Sequence, residues 1–227
     1  MQIELLADAD AVAARAAQLI AAAARDAVMA RGRFIFAVSG GRTPWTMLRL
    51  LAREDVPWQA VHVVQVDERF APANDPERNL THLHEALLAN SPLAAENVHA
   101  MPVEGSDPTA ASRRYAAVLQ TVCGAPPVLD LVHLGLGADG HTASLVPGDP
   151  VLDVTAADVA VTGPYQGRRR MTLTFPIIDR ARRILWVVTG ADKVGALAQL
   201  RAGSRAIPGG RVRSDNATLL ADRQAAP

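Results

Sequence analysis

The stretch "GLGADGHTASLVPG", Gly135 to Gly148, sets an aspartate and a histidine two residues apart inside a run of glycines. Histidine is the side chain whose ordinary pKa lies nearest neutrality, so His141 is of the type that takes a proton from water and hands it on, with Asp139 to orient its ring. The bland alternative is that His141 hydrogen-bonds its own loop. Gly135, Gly137 and Gly140 give the tight backbone that aims both side chains into a pocket. The first six residues also fit the G-x-G-x-x-G pattern of a dinucleotide-binding turn. That turn needs a helix opening at its third glycine, whereas only six residues separate Gly140 from Pro147, which argues against a nucleotide site. Ser144 lacks the G-x-S-x-G elbow of an esterase nucleophile, and no covalent serine intermediate is expected.

Two further stretches carry polar groups of the right type. In "SGGRTP" a glycine loop between strand and helix presents backbone N–H groups at the positive end of a helix dipole, with Ser39, Arg42 and Thr43 as added donors. It reads either as a phosphate or sugar-phosphate cradle or as an ordinary turn closed by a Thr-Pro cap. In "DERF", alternation sends Asp67 and Arg69 to one side if the strand persists: Arg69 suits a phosphate or carboxylate and Asp67 suits sugar hydroxyls, the alternative being a surface ion pair. Arg170 and Lys193 are further candidates for the same anion, although such charges taken singly more often face solvent. Lys193 is the one lysine beside 22 arginines, which marks either a position that needs a compact ammonium or a chance survivor. His82 and His84 diverge on a predicted helix and no paired cysteines exist, so no metal is expected. His62, His99 and His133 read as residues with structural partners.

These residues need elements to hold them. Apolar positions recurring from Asp8 to Arg31, with Gly32 beyond, predict a long amphipathic helix. "RFIFAVS" (33–39) predicts a buried strand, followed by a helix with Thr43 as N-cap and Pro44 in its first turn. "VHVVQVDERF" (61–70) predicts a second strand, with helices near Leu80 to Leu88 and Thr109 to Val122. "VLDLVHLGLG" (128–137), "RRMTLTFPII", "RRILWVVTG" and "ATLLAD" read as strands and "ADKVGALAQLRAG" as a helix. Such alternation predicts an α/β fold with a mostly parallel sheet covered on both faces, where ligands sit beyond the carboxyl ends of the strands. The three polar loops all leave strand ends.

A chain of 227 residues fits one α/β domain over 1–227. Formal charges cancel to zero, so neither nucleic acid nor an acidic membrane surface is favoured, and basic runs such as "GRRRM" and "RARR" read as solvated faces. A single Cys123 and acids within the first 30 residues point to a reducing, cytoplasmic setting, and no apolar run is long enough for a membrane span.

Taken together, "SGGRTP", "VDERF", "GLGADGHTASLVPG", "MTLTFPIID" and "VVTGADKVGAL" closely resemble the 6-phosphogluconolactonase family, in the family's order, over about residues 37 to 197. The resemblance implies a Rossmann-like three-layer sandwich and hydrolysis of 6-phospho-D-glucono-1,5-lactone, the second step of the oxidative pentose phosphate pathway, without a cofactor. It implies His141 as the base that activates water and Asp139 as its orienting partner. Ser39, Gly40, Gly41, Arg42, Thr43, Asp67, Arg69, Gly137, Arg170 and Lys193 would hold the sugar phosphate, in a monomer or weak homodimer. Glucosamine-6-phosphate deaminases share the fold, but their loop carries a glutamate five residues after the histidine, where this chain has Val146; a non-catalytic sugar-phosphate sensor is a rival of another class. The chain departs from the family at Arg42 (often serine), Val146 (usually phenylalanine) and Arg78 (often serine).

Overall fold

A computed structural model describes residues 1–226. The long helix forms as its periodicity predicts: α1 (Ala9–Arg31) starts where the Asp8 carboxylate accepts the Ala11 amide at 2.8 Å and stops at Gly32, whose φ of 74° only glycine adopts without strain. It is followed by β2 (Phe34–Val38), α2 (Arg42–Leu51), β3 (Val61–Gln65), β4 (Asp67–Arg69), α3 (Asn79–Ala86), β5 (Val98–His99), α4 (Pro108–Cys123) and β6 (Leu131–Leu134). The rest comprises β7 (Val159–Val161), β8 (Arg170–Leu173), α5 (Phe175–Arg180), β9 (Arg183–Val188), α6 (Val194–Arg201) and β10 (Ala217–Asp222); a first strand, β1 (Gln2–Leu6), precedes α1.

Seven strands form one sheet in the order β1-β10-β9-β6-β2-β3-β5, and every neighbouring pair is parallel. Parallel pairing requires crossovers that bury both faces, and the central strands β2 and β9 read accordingly as apolar runs. In β2, Phe34, Phe36 and Val38 pack into a core with α1, α2 and α3, while Ile35 and Ala37 point to the opposite core with α4 and α6. The result is a three-layer α/β sandwich. β4, β8 and β7 make a separate antiparallel sheet of three strands beside it.

Four expectations need correction. The strand expected over 61–70 is two strands in two sheets: at Val66 the chain leaves the parallel sheet, its amide bonding Val38 O at 3.0 Å while its carbonyl accepts Leu173 N at 2.8 Å in the small sheet. Thr43 is not the N-cap of α2. Gly41 holds that position, with no side-chain cap, and the Thr43 hydroxyl bonds Thr189 Oγ1 at 2.7 Å instead. "FPII" is helical, because Pro176 sits in the first turn of α5, where its missing N–H costs nothing. The "GRRRM" run is no solvated face, since Arg170 is buried and Arg168 is tied down by carboxylates. Among the described residues no helix is long and apolar enough to cross a membrane, and no group of three or more His, Cys, Asp or Glu is placed to hold a metal.

Candidate functional site

The carboxyl ends of β2, β6 and β9 open onto a cleft of about 540 Å³, roofed by β4 and the β7–β8 hairpin. Ser39, Gly40, Gly41, Arg42, Thr43, Asp67, Arg69, Gly137, His141, Arg170 and Lys193 all line it. Asp139 stands behind His141. The three loops singled out by residue type therefore meet at one place.

The β6 loop is folded tightly on itself. Gly137 N donates to His141 O at 2.8 Å and Gly140 N to Gly137 O at 2.9 Å, which wraps the backbone around the two side chains. Asp139 Oδ1 accepts from the His141 amide at 3.1 Å and lies 2.6 Å from His141 Nδ1. With Nδ1 engaged there, Nε2 is the ring nitrogen left to exchange a proton with a ligand. Partial burial works to raise the Asp139 carboxyl, but the hydrogen bonds from the His141 backbone and ring and the adjacent imidazole charge prevail and hold it below the usual carboxylate range. Gly137 is required by contact: a Cβ there would lie 2.1 Å from His141 Nδ1 and 2.6 Å from Asp139 Oδ1.

The β2 loop is fixed from below. Ser39 N donates to His133 Nδ1 at 3.2 Å and Ser39 Oγ to His133 O at 2.9 Å, so the hydroxyl hydrogen of Ser39 serves the turn instead of a ligand. His133 is fully buried, and burial drives its pKa down to about 3, which keeps the ring neutral and Nδ1 an acceptor. Above it, the uncapped first turn of α2 leaves amides without intrahelical partners at the cleft, beside Arg42. A Cβ on Gly40 would lie 2.2 Å from Asn79 Oδ1, so this turn too is glycine by necessity.

In "DERF" the side chains do separate by alternation. Asp67 and Arg69 face the cleft, whereas Glu68 is wholly buried and accepts from Gln65 Nε2 and from the amides of Arg69, Asn79 and Leu80, thereby capping α3. Arg78, buried 3.6 Å from Glu68 and bonded to Glu104, completes that support. Asp67 Oδ2 takes the Ser144 hydroxyl hydrogen at 2.5 Å. Arg69 donates to Asn79 Oδ1 at 2.9 Å and Glu77 O at 2.6 Å.

The register of β4 on β8 sets Arg69 opposite Arg170. Like charges paired across strands repel. Burial first, then the Arg69 charge, push the Arg170 pKa below the usual guanidinium value; Nη2 reaches Gln166 at 3.1 Å, and Nε is buried without a hydrogen-bond partner. Among the described residues neither Arg69, Arg170 nor Arg42 forms an ion pair with a carboxylate, while Lys193 Nζ lies 2.9 Å from Asp192. The cleft thus brings a hydrogen-bonded His141–Asp139 pair together with three arginines that form no ion pair.

Glu77, Asn79, His82, Gln166 and Arg168 also line the cleft without having been singled out for it. They arrive from α3, the turn before it and the hairpin tip, through pairings that no local pattern encodes. Val146 is buried and lies outside the cleft lining, so the departure there leaves the walls untouched. His62 and His99 stack on each other at 5.4 Å, away from the cleft.

A family model described as glucosamine-6-phosphate isomerases/6-phosphogluconolactonase matches residues 7–221. A 6-phosphogluconolactonase of Nostoc sp. is 38% identical over 206 residues, covering 89% of this chain and 85% of that protein. One of Mycobacterium tuberculosis is 36% identical over 238 residues, covering 99% and 96%. The solved structure of 6-phosphogluconolactonase from Thermotoga maritima superposes with a TM-score of 0.87 at 25% identity, covering 97% of this chain and 98% of that one. A monomeric glucosamine-6-phosphate deaminase, 21% identical with a TM-score of 0.86, shares the fold.

Proposed function

The chain belongs to the glucosamine-6-phosphate isomerase/6-phosphogluconolactonase family, and on that premise we propose that it hydrolyses 6-phospho-D-glucono-1,5-lactone to 6-phospho-D-gluconate, with His141 as general base. The phosphate docks at the Gly40–Thr43 turn, with Arg42 and Lys193 beside it. Asp67 accepts from the sugar hydroxyls, while Arg69 and Arg170 supply further positive charge to the phosphate. His141 Nε2 removes a proton from a water that adds to the C1 carbonyl; the ring C1–O bond then breaks, and the imidazolium returns the proton to the departing ring oxygen. Asp139 keeps Nδ1–H in place and offsets the charge that forms on the ring.

The observation that carries this reading is the bonded His141–Asp139 pair set in one cleft with arginines that form no ion pair. Lactone hydrolysis needs an anion site and a base that activates water, and this reading gives both to residues of the cleft. Ring-opening deamination needs a further carboxylate on the loop, and the position five after His141 is the buried, apolar Val146.

The test is His141→Ala, assayed for lactone opening above the spontaneous rate and, by calorimetry, for 6-phosphogluconate binding. The expected result is a loss of about 10²- to 10⁴-fold in kcat with product affinity preserved. Wild-type turnover by the variant would overturn the base assignment. A wild-type chain that binds the product without accelerating hydrolysis would be a sensor, and the reading would fall.

A further inference from the structure

We propose that Tyr165, at the tip of the β7–β8 hairpin, is a positioning residue for His141 that acts through Asp139; the inference rests on the hydrolase reading above. Tyr165 Oη donates to Asp139 Oδ2 at 3.3 Å, while Asp139 Oδ1 faces His141 Nδ1 at 2.6 Å. One carboxylate therefore has each oxygen assigned to a different partner. Within its own loop only Oδ1 is engaged, by the His141 amide and ring, and the side chain is 41% exposed. A second donor on Oδ2 restricts that rotation and keeps Oδ1 toward the imidazole.

The ring of Tyr165 supports the same arrangement from the side. It meets the His141 ring edge-on at 5.6 Å between centroids, and the Arg170 guanidinium lies over its face, 4.9 Å from the centroid. Tyrosine thus touches both the imidazole and one of the cations, without itself lining the cleft. Partial burial and the Asp139 charge raise its pKa above the ordinary phenol value, so it remains a neutral donor.

The backbone that delivers Tyr165 is a tight turn. Gln166 and Gly167 have φ of 51° and 81°, the two successive positive values of a tight hairpin turn, and Tyr165 and Arg168 exchange both backbone hydrogen bonds, at 2.9 and 3.3 Å. Arg168 is anchored across the cleft mouth by Asp75 at 3.2 Å and Glu77 at 2.5 Å. The hairpin thus brings the phenol over the loop.

A mutant cycle on the full chain tests this: Tyr165→Phe, Asp139→Ala and the double variant, with kcat and KM for the lactone. Tyr165→Phe should lower kcat by about 3- to 10-fold with KM within about 2-fold, the size of one long hydrogen bond to a charged group. In the Asp139→Ala background the same change should do nothing more, because the group it acts through is gone. Tyr165→Phe with wild-type kcat, an effect confined to KM, or multiplicative losses in the double variant would each overturn the proposal. Should Asp139→Ala and His141→Ala both hydrolyse at the wild-type rate, it is the hydrolase reading that fails. Loss of kcat in those two with an unaffected Tyr165→Phe sinks only the role of the tyrosine.

Discussion

Replacing Gly137 by alanine is the sharpest perturbation of the site, because it adds one methyl and nothing else. Gly137 has no positive φ, so alanine meets no backbone penalty there. The whole effect is contact: the new Cβ would sit 2.1 Å from His141 Nδ1, where ordinary van der Waals contact begins at 3.4 Å. The imidazole must therefore retreat by about 1.3 Å, and its bond to Asp139, 2.6 Å in length, cannot survive that movement unchanged. Misplacement of a catalytic group by about 1 Å costs on the order of 10²-fold in rate. The fold should tolerate it, because the His141 side chain is one quarter exposed and has room to swing. Overpacking relieved in this way should cost no more than about 1 kcal/mol, or roughly 2–4 °C in Tm for a chain of this size. The assay is proton release on lactone opening, corrected for the spontaneous reaction, alongside a thermal melt. A folded Gly137→Ala protein with wild-type kcat would refute the reasoning, since it would mean that the position of His141 does not matter to turnover.

Gly40→Ala applies the same logic to the anion side. Its Cβ would lie 2.2 Å from Asn79 Oδ1, which accepts from Arg69, so KM for the lactone should rise by about 10-fold with a smaller change in kcat; steady-state kinetics read this directly. Acid stability follows from His133, whose folded pKa is pushed down to about 3 from 6.5 by burial. The unfolded chain binds a proton there that the folded chain refuses, so stability is fully present above about pH 6.5 and declines as pH falls toward about 3, by roughly 1.4 kcal/mol per pH unit over most of that window. Urea unfolding of wild type and His133→Gln at pH 7 and pH 5 should show a shallower loss in the variant, and equal losses would contradict this assignment.

Much of the fold is written locally. The alanine-rich face of α1, its Asp8 cap and its Gly32 stop are all visible in neighbouring residues, and so are the continuous apolar runs of β2, β6 and β9. What escapes is pairing. β1, β5 and β7 are short or lie at sheet edges, and nothing in "QIELL" says that it will lie along β10. "VHVVQVDERF" has the composition of one strand, and only the competition of two sheets for Val66 divides it. The residue types at the site pointed to one shared cleft, and His141, Asp67 and the glycine turn do share it. Tyr165 stayed hidden because its hairpin turn is Gln-Gly, a weak signal beside Asn-Gly, and because the arginines that follow resemble a solvated tail.

The face-to-face arginines of β4 and β8 bear on how the empty protein behaves. A guanidinium pair held at fixed register by strand hydrogen bonds is an electrostatic load carried at rest, and any oxyanion that slips between the two lightens it. Occupancy and conformational stability are then thermodynamically linked, so a buffer anion that binds there should raise the melting temperature in proportion to its affinity.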